Sequence, residues 1–552
     1  MQRPLTTFLE GQPVGWLETL ESFQRLEDEQ AWMVPDKTVL GTPGNDKLHG
    51  GQGNDDIDGL AGADTMAGRL GNDTFHVDDL GDIVKERAGE GVDTVLTNVD
   101  FTLGSNVENL TLRGLNLNED LVGIGNELDN VIAGNGGENR LDGGDGNDLL
   151  DSGGTVGPFE SDTLIGGRGN DTLVGGTGYI TSDLLQGGAG NDVLQVSSGA
   201  NVLDGGSGND QLTGGNGDGQ HFPAFDTLIG GNGKDTLEGG EYQSGGDGND
   251  KMHFNVAYHA DGGAGNDTIE GMGGAGFNEL DVDAGLGDDL VDVVSINNDL
   301  HLSGGEGNDT LGGTSLQDVF ILAGAGDDQV SATQSTNGAV NVDAGDGHDT
   351  VWADGNAGTV TVAGGAGDDV LHAETGSGIG VWISGGEGND TLTVGHGISF
   401  LNGDGGSDRF VLADREVYGA NMVTISDFAS GLDLLIVSQG SMPVGNGDLV
   451  VDGALSVNGP GGFGTGAELV IVSANISGDL TLDKAAAAIG GANGAYADGQ
   501  TVVFMVDNGT QSWALYFESD GTDAAVSASE LSLLGRLTGT PSTVVDDILW
   551  GA

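Results

Sequence analysis

Residues 50–58 read Gly-Gly-Gln-Gly-Asn-Asp-Asp-Ile-Asp, and this nine-residue unit decides the fold. The interval of nine holds for three residue types: Gly44, Gly53, Gly62 and Gly71; Asp46, Asp55, Asp64 and Asp73; and Leu48, Ile57, Met66 and Phe75. Six residues rich in Gly, Asn and Asp favour a tight turn, because glycine tolerates positive φ. The three residues around the apolar position favour a short strand with one inward side chain. The period therefore predicts a parallel β-solenoid.

Two units make one coil of about 18 residues, so residues 18 apart stack at roughly 4.8 Å, the spacing between strands. Asp46 then lies over Asp64 on one edge, and Asp55 over Asp73 on the other. Stacked carboxylates repel each other unless a cation lies between them. Carboxylates and turn carbonyls suit Ca²⁺, which takes six to eight oxygen ligands, better than Mg²⁺, which demands octahedral geometry. A glycine-rich β-helix with Asn and Asp ladders and no metal is the alternative.

The composition agrees with this interpretation. The 552 residues include 87 acidic and 16 basic side chains, a formal charge of −71, with 108 glycines and only 5% aromatic residues. Such a charge disfavours nucleic acid and anionic membranes as partners, and it strains a folded chain unless cations neutralise it. Screening by high salt is the other explanation. There is no cysteine, no apolar run of about 18 residues that would predict a membrane span, and no signal-peptide pattern in residues 1–37.

The repeat resembles the calcium-binding nonapeptide of the RTX, or hemolysin-type, family. Residues 50–58 fit the family unit at every defined position, and residues 304–311 and 385–392 match as well. The resemblance covers roughly residues 41–413. It implies an all-β fold, a parallel β-roll or β-solenoid with a mostly β C-terminal cap, that binds many Ca²⁺ ions. It also implies an extracellular or cell-surface location, reached through type I secretion machinery that reads an uncleaved C-terminal signal.

The candidate calcium ligands are the aspartates in Gly-x-Asp turns. They are Asp46, Asp55, Asp64, Asp73, Asp148, Asp171, Asp192, Asp210, Asp235, Asp250, Asp267, Asp289, Asp309, Asp328, Asp349, Asp369, Asp390 and Asp408. From Asp250 onward these aspartates are 17 to 22 residues apart, one full coil instead of half. We therefore expect calcium along both edges before about residue 240 and mainly along one edge after it. Asp318, nine residues after Asp309, is an exception.

The same pattern divides the chain into six segments. We expect an N-terminal cap at 1–40, a first repeat block at 41–76, longer β-coils at 77–128 and a second block at 129–249. A solenoid of about 20-residue coils follows at 250–413, and a cap and secretion region at 414–552. Within the last segment the sequence predicts strands at Thr501–Val506 and Ser512–Phe517 and a helix near Ala528–Leu534.

No enzyme is predicted. The segment before the repeats is too short for a catalytic domain, and neither His-Glu-x-x-His nor Gly-x-Ser-x-Gly occurs. We expect a non-catalytic, secreted calcium-binding protein that acts as a component of a surface layer, matrix or adhesion system. It would bind cell-surface polysaccharide or assemble with further copies of itself. The alternative is a carbohydrate-active or glycan-binding module, which a shared exposed row of Trp352 and Trp382 would favour. Whether Asp520 to Glu530 binds a further ion stays open.

Overall fold

The structure is a computed structural model, and it describes residues 36–114, 119–153, 161–176, 182–215, 225–273, 279–376, 380–395, 397–412, 423–438, 442–445, 450–451, 453–473, 476–521, 523–539 and 543–551. The predicted N-terminal cap lies almost wholly outside these residues. The chain forms two compact units, residues 1–176 and 177–552. Each unit is a parallel β-solenoid, so the predicted fold class is confirmed.

In the first unit, strands alternate between two faces of each coil. Face 1 consists of Thr38–Leu40, Asp56–Asp58, Thr74–Val77, Thr94–Thr97, Asn109–Leu112, Val131–Ala133, Leu149–Asp151 and Thr172–Val174. Face 2 consists of Lys47–His49, Thr65–Ala67 and Ile83–Val84, then Phe101–Thr102, Val122–Ile124, Arg140–Asp145 and Thr163–Arg168. The first coils pair in a register of 18 residues, with Ile57 beside Val39 and Phe75.

The second unit repeats this arrangement with longer strands. Face 1 consists of Val193–Gln195, Gln211–Thr213, Thr236–Glu238, Lys251–Ala257, Thr268–Gly273, Leu290–Ser295, Thr310–Ser315, Gln329–Gln334, Thr350–Gly355, Val370–Thr375, Thr391–Val394, Arg409–Leu412 and Leu434–Ser438. Face 2 consists of Leu184–Ala189, Val202–Ser207, Thr227–Asn232, Tyr242–Asp247, His259–Ala264, Glu279–Leu286, Asp299–Glu306, Val319–Ala325, Val340–Asp346, Val360–Ala366, Val381–Glu387, Ser399–Gly405 and Val423–Phe428.

The core lies inside the coils and is thin, as the repeat predicts. A three-residue strand buries one side chain, such as Ile57 or Met66, at the middle of the strand. The longer strands of the second unit bury alternate residues, as Val340, Val342 and Ala344 do. The two or three extra residues of each later coil therefore lengthen the strands, which explains why the period grows from 18 to about 20.

Both faces of the second unit continue into residues after 438. On face 1, Leu434–Ser438 pairs in parallel with Ile548–Gly551, which follows a 3-10 turn at Val545–Asp547. On face 2, Val423–Phe428 pairs with Leu531–Gly539, which is antiparallel to Gln511–Glu518. That sheet goes on through Thr501–Asp507, Leu469–Val472 and Leu455–Val457.

A separate apolar core lies on this C-terminal sheet, and it includes Phe463, Phe504, Trp513 and Phe517. The helix Leu482–Ile489 packs there through Ala485 and Ile489; the Thr481 hydroxyl caps its first turn and Gly490, with a φ of 74°, ends it. The two strands predicted in this region are confirmed. The helix predicted near Ala528–Leu534 is wrong, because strand pairing with Gln511–Glu518 places Leu531–Gly539 in the sheet.

Candidate calcium sites

Two rows of acidic and amide side chains follow the edges where strands begin. We call row 1 the residues directly before face 1 strands and row 2 those directly before face 2 strands. In row 1 of the second unit, the Oδ1 of each aspartate accepts a hydrogen bond from the backbone N–H of the aspartate one coil earlier. Asp349 N, for example, donates to Asp369 Oδ1 at 2.9 Å, and Asp369 N donates to Asp390 Oδ1 at 2.9 Å. The stacking of one aspartate per coil is thus a backbone-supported ladder.

Row 1 is long in both units. In the first unit it comprises Asp55, Asp73, Asp93, Glu108, Asn130, Asp148 and Asp171. In the second unit it comprises Asp192, Asp210, Asp235, Asp250, Asp267, Asp289, Asp309, Asp328, Asp349, Asp369, Asp390, Asp408 and Asp433.

Row 2 is short. It comprises Asp46, Asp64 and Asp82, then Asn139 and Asp162, in the first unit, and Asp183, Asn201, Asp226 and Glu241 in the second.

The second carboxylate oxygen is what marks the rows as ion sites. In many of these aspartates Oδ2 is buried and has no hydrogen-bond partner among the residues that the structure describes. The residues are Asp64, Asp73, Asp93, Asp148, Asp210, Asp235, Asp250, Asp267, Asp289, Asp309, Asp328, Asp349, Asp369 and Asp390. A buried, unpartnered charged oxygen costs several kcal/mol, on the order of the penalty for isolated buried polar groups, unless a cation binds it.

Glycines bring backbone oxygens close to these carboxylates. A Cβ built on Gly245 would lie 2.5 Å from Asp250 Oδ2 and 2.5 Å from the carbonyl oxygen of Gly262 in the next coil. At Gly385 the corresponding oxygens are Asp390 Oδ2 at 2.2 Å and Gly403 O at 2.8 Å. At these two turns a carboxylate oxygen and a carbonyl oxygen from adjacent coils therefore converge. A side chain in place of the glycine would fill the space between them.

Without a cation, the buried carboxylates resist ionisation. Burial is the main cause that raises the pKa of Asp250, Asp289 and Asp369 to about 7, although the backbone hydrogen bond to each carboxylate works against the shift. The neighbouring aspartates of the row raise the pKa of these groups further. A divalent cation bound between stacked carboxylates would favour their charged form and so oppose this rise in pKa.

The donor set fits Ca²⁺. Within the described residues no three His, Cys, Asp or Glu side chains form a group that could hold a metal. An ion in these turns would therefore need backbone carbonyls beside its one or two carboxylates. Only oxygen donors are offered, which suits a hard cation with a high coordination number and does not suit zinc.

After Glu241, Asp318 is the one carboxylate that row 2 keeps among the described residues. The described residues directly before the later face 2 strands are Tyr258, Asn298, Asp318, Ala339, Thr359, Gly380 and Ile398. The same edge buries neutral polar groups instead: the hydroxyls of Ser295 and Ser315 both donate to Asn298 O at 2.9 Å. Asp318 N donates to Asp299 Oδ1 at 3.2 Å, and Asp318 Oδ1 accepts from Ala339 N at 2.8 Å. The side chains of Asp299 and Asp318 are both half-exposed. The carboxylates thus follow two edges early and one edge late.

The structure places all 18 candidate aspartates in the two rows. Seventeen are buried, and Asp46, in the first coil, is half-exposed, with its Oδ2 accepting from the Thr42 backbone and hydroxyl. The candidate set missed Asp82, Asp93, Glu108 and Asp433, and it also missed the row 2 residues Asp162, Asp183, Asp226 and Glu241. Asp82 follows Asp73 by nine residues, so the period could have identified it. Asp93 and Asp433 lie 20 and 25 residues after their row neighbours, and no fixed interval indicates them.

Next to the aspartates runs a second, solvent-exposed ladder of turn residues. Asn389 N donates to Asp368 Oδ1 at 2.7 Å, and His348 takes the same part in its coil, where its Nδ1 accepts from Asp368 N at 2.8 Å. His348 is exposed, and it replaces an Asn or Asp acceptor in the turn.

The aromatic residues do not form one row. Trp352 lies on face 1, where it stacks with His372 at 4.3 Å, and Trp382 lies on face 2, where it stacks with Phe400 at 5.8 Å and an interplanar angle of 12°. Both tryptophans are exposed, at 57% and 42%. Each face thus has a two-ring stack of its own.

The fold and the turns define a class: a parallel β-solenoid with stacked acidic turns suited to calcium. Comparison with protein families gives the RTX calcium-binding nonapeptide repeat, matched at residues 40–75, 124–154, 160–179, 182–220, 224–241, 259–277, 301–320, 352–379 and 384–413. The chain belongs to this family of RTX calcium-binding repeat proteins. A comparison with curated proteins finds no match. No helix in the described residues is long and apolar enough to cross a membrane.

Proposed function

We propose that this protein is a non-catalytic calcium-binding protein that is exported unfolded and folds on binding calcium outside the cell. The observation that carries the proposal is the row of buried aspartates whose Oδ2 atoms have no partner. Calcium bound by these oxygens and by turn carbonyls would supply the free energy that a thin core with few large side chains does not. In this proposal the 18 candidate aspartates are the ligands.

Calcium-dependent folding would also link structure to export. The cytosol is poor in free calcium, whereas extracellular modules bind it at about 0.1–1 mM. The chain would therefore stay unfolded inside the cell, pass through type I secretion machinery, and fold outside as a surface-layer, matrix or adhesion component. The segment 414–552 is proposed to cap the solenoid and to carry the secretion signal.

Circular dichroism tests the proposal directly. In a chelator at neutral pH the far-ultraviolet spectrum should be that of a coil, and titration with Ca²⁺ to about 1 mM should produce the β spectrum. Mg²⁺ at the same concentration is the control and should leave the coil unchanged. A native β spectrum in chelator would contradict the proposal. Fractionation of cells into supernatant, surface and cytosol tests the proposed location.

The glycan-binding alternative is supported by a different observation, the exposed ring stacks on the second unit. Trp382 and Phe400 form a parallel pair on face 2, and exposed aromatic rings are common platforms for apolar ligand faces. The stacks are short and lie on opposite faces, so they favour separate small sites over one extended track. Binding of neutral oligosaccharides that disappears in Trp382→Ala would favour this alternative.

A further inference from the structure

The strongest unassigned feature is a cavity of about 540 Å³ in the first unit, beside the first strands of face 2. Its lining includes three basic residues, Arg69, Lys85 and Arg87, and its apolar part is formed by Ala67 and Val84. The whole chain has only 16 basic residues against 87 acidic ones. Three of them line one cavity together with the two carboxylates of Glu86 and Glu90, so basic groups outnumber acidic ones there, unlike in the molecule as a whole.

The basic groups of this cavity are available to a ligand. Neither the Arg69 guanidinium nor the Lys85 ammonium group hydrogen-bonds or ion-pairs with any residue that the structure describes. Arg87 is 88% exposed, and its nearest carboxylate oxygen, Glu90 Oε1, is 3.9 Å away. At that distance and exposure the pair is weak.

The two acidic residues of the cavity direct their oxygens toward the backbone. Glu86 Oε1 accepts a hydrogen bond from Gly68 N, and Glu86 Oε2 accepts one from Arg69 N at 3.3 Å. Glu90 Oε2 accepts from Arg87 N at 2.9 Å. These carboxylates hold the two turns that carry the arginines. They do not engage the Arg69 and Lys85 side-chain charges.

Arg69 occupies a backbone position that favours glycine. Its φ is 83°, whereas Gly144 and Gly167, at the same position of their turns, have φ of 104° and 109°. A non-glycine residue in this region is disfavoured, and such residues often mark functional positions. Leu60 and Asp404 also occupy this position of their turns, with φ of 60° and 64°, so Arg69 is one of several non-glycine residues that the turns accept there.

We propose that this cavity binds an acidic sugar residue, with its carboxylate or sulfate held by Arg69 and Lys85 and supported by Arg87. A guanidinium group binds a carboxylate or sulfate through two parallel hydrogen bonds, and the lysine adds a point charge. The cavity volume exceeds that of a simple oxyanion and leaves room for a sugar ring against Ala67 and Val84. The proposal requires a folded first unit but does not depend on the export or surface role proposed above.

Isothermal titration calorimetry on the full-length protein in saturating Ca²⁺ tests this site. The probes are digalacturonate, a monosulfated disaccharide, lactose as a neutral sugar, and inorganic sulfate as a free anion. We expect at least one of the two acidic sugars to bind, and the tighter of the two identifies the acid group. Arg69→Gly and Lys85→Gln should each weaken that binding about tenfold, which corresponds to the loss of one charge-assisted hydrogen bond.

Lys47→Gln is the matched control, because Lys47 is an exposed basic residue on a neighbouring strand and does not line the cavity. It changes the net charge by the same amount and should leave binding unchanged. Circular dichroism in Ca²⁺ checks that each variant folds, and Arg69→Gly restores the residue that the turn favours. An equal loss in Lys47→Gln, equal binding of lactose or inorganic sulfate, or no binding of either acidic sugar would overturn the proposal.

Discussion

Replacing one row 1 aspartate by asparagine separates its role as a calcium ligand from its role in the ladder. Asp369 is suited to this, because its Oδ1 accepts from Asp349 N at 2.9 Å while its Oδ2 is buried without a partner. Asparagine keeps one oxygen, which can accept the backbone hydrogen bond, and has an NH2 group in place of the second oxygen. Asp369→Asn should therefore preserve the stacked turn and lose the negative charge that an ion needs.

The expected magnitude follows from the number of ions lost. An ion that binds only the folded state stabilises it by about 2.7 kcal/mol when its concentration is 100 times Kd. If one or two ions next to Asp369 are lost, the calcium-loaded protein should lose about 3–5 kcal/mol locally. Asp369→Ala should cost about 1–3 kcal/mol more, because it also leaves the Asp349 N–H unsatisfied.

Equilibrium dialysis counts the bound ions, and hydrogen exchange measures the local stability of the neighbouring coils. The matched control is Asp368→Asn, the adjacent residue, which is exposed and uses its Oδ1 to accept from Asn389 N. It removes the same charge and keeps the same kind of ladder bond, so it should retain every ion. An unchanged ion count in Asp369→Asn, or an equal loss in Asp368→Asn, would refute the assignment of Oδ2 as a ligand.

Three further predictions follow from the rows and the last strands. Because burial raises the pKa of Asp250 to about 7, the stability that protonation provides to the calcium-free fold is present at acid pH and lost as pH rises through about 7. Lowering the pH from 8 to 5 in chelator should therefore increase the β signal in circular dichroism; a constant or falling signal would contradict this. Deleting residues 543–552 removes the strand that pairs with Leu434–Ser438 and the Asp547 carboxylate that accepts from Ser430 Oγ at 2.8 Å. We expect faster proteolysis of the last coils, with ions retained in earlier ones, and global unfolding would argue against local stability. Finally, a crystal structure with calcium should show ions on two edges before about residue 240 and on one edge through residues 289–408. Two equally filled edges there, or no ions beside Asp349, would disprove the one-edge arrangement.

Much of the fold could be predicted because the repeat is local. The Gly-x-Asp-x-apolar period specifies a turn, a strand and an inward side chain within nine residues, as at Asp55 and Ile57, and two such units close one coil. The stacking of Asp55 with Asp73 then follows from the coil length alone. The change from 9 to about 20 residues after Asp250 likewise indicates that one edge loses its carboxylates.

Where the interval varies, only the tertiary structure decides which residues stack. Asp210 lies next to Asp235 across 25 residues, and Asp235 next to Asp250 across 15, because the number of residues between paired strands varies from coil to coil. Asp93 and Asp433 join row 1 for the same reason. The faces of Trp352 and Trp382 also depend on which strand each belongs to, and spacing along the chain does not reveal it.

The C-terminal region shows most plainly which parts of the fold the sequence pattern does not predict. It lacks the repeat, so each strand there is determined by partners far along the chain: Leu531–Gly539 pairs with Val423–Phe428, and Ile548–Gly551 with Leu434–Ser438. The short-range pattern near Ala528 favoured a helix, and long-range pairing placed a strand there instead. The sequence by itself determined the coil, its turns and its acidic edges, because these are local and periodic. Tertiary packing between distant parts of the chain decided which strands neighbour the irregular segments and which carboxylates, such as those of Asp250 and Asp369, are buried.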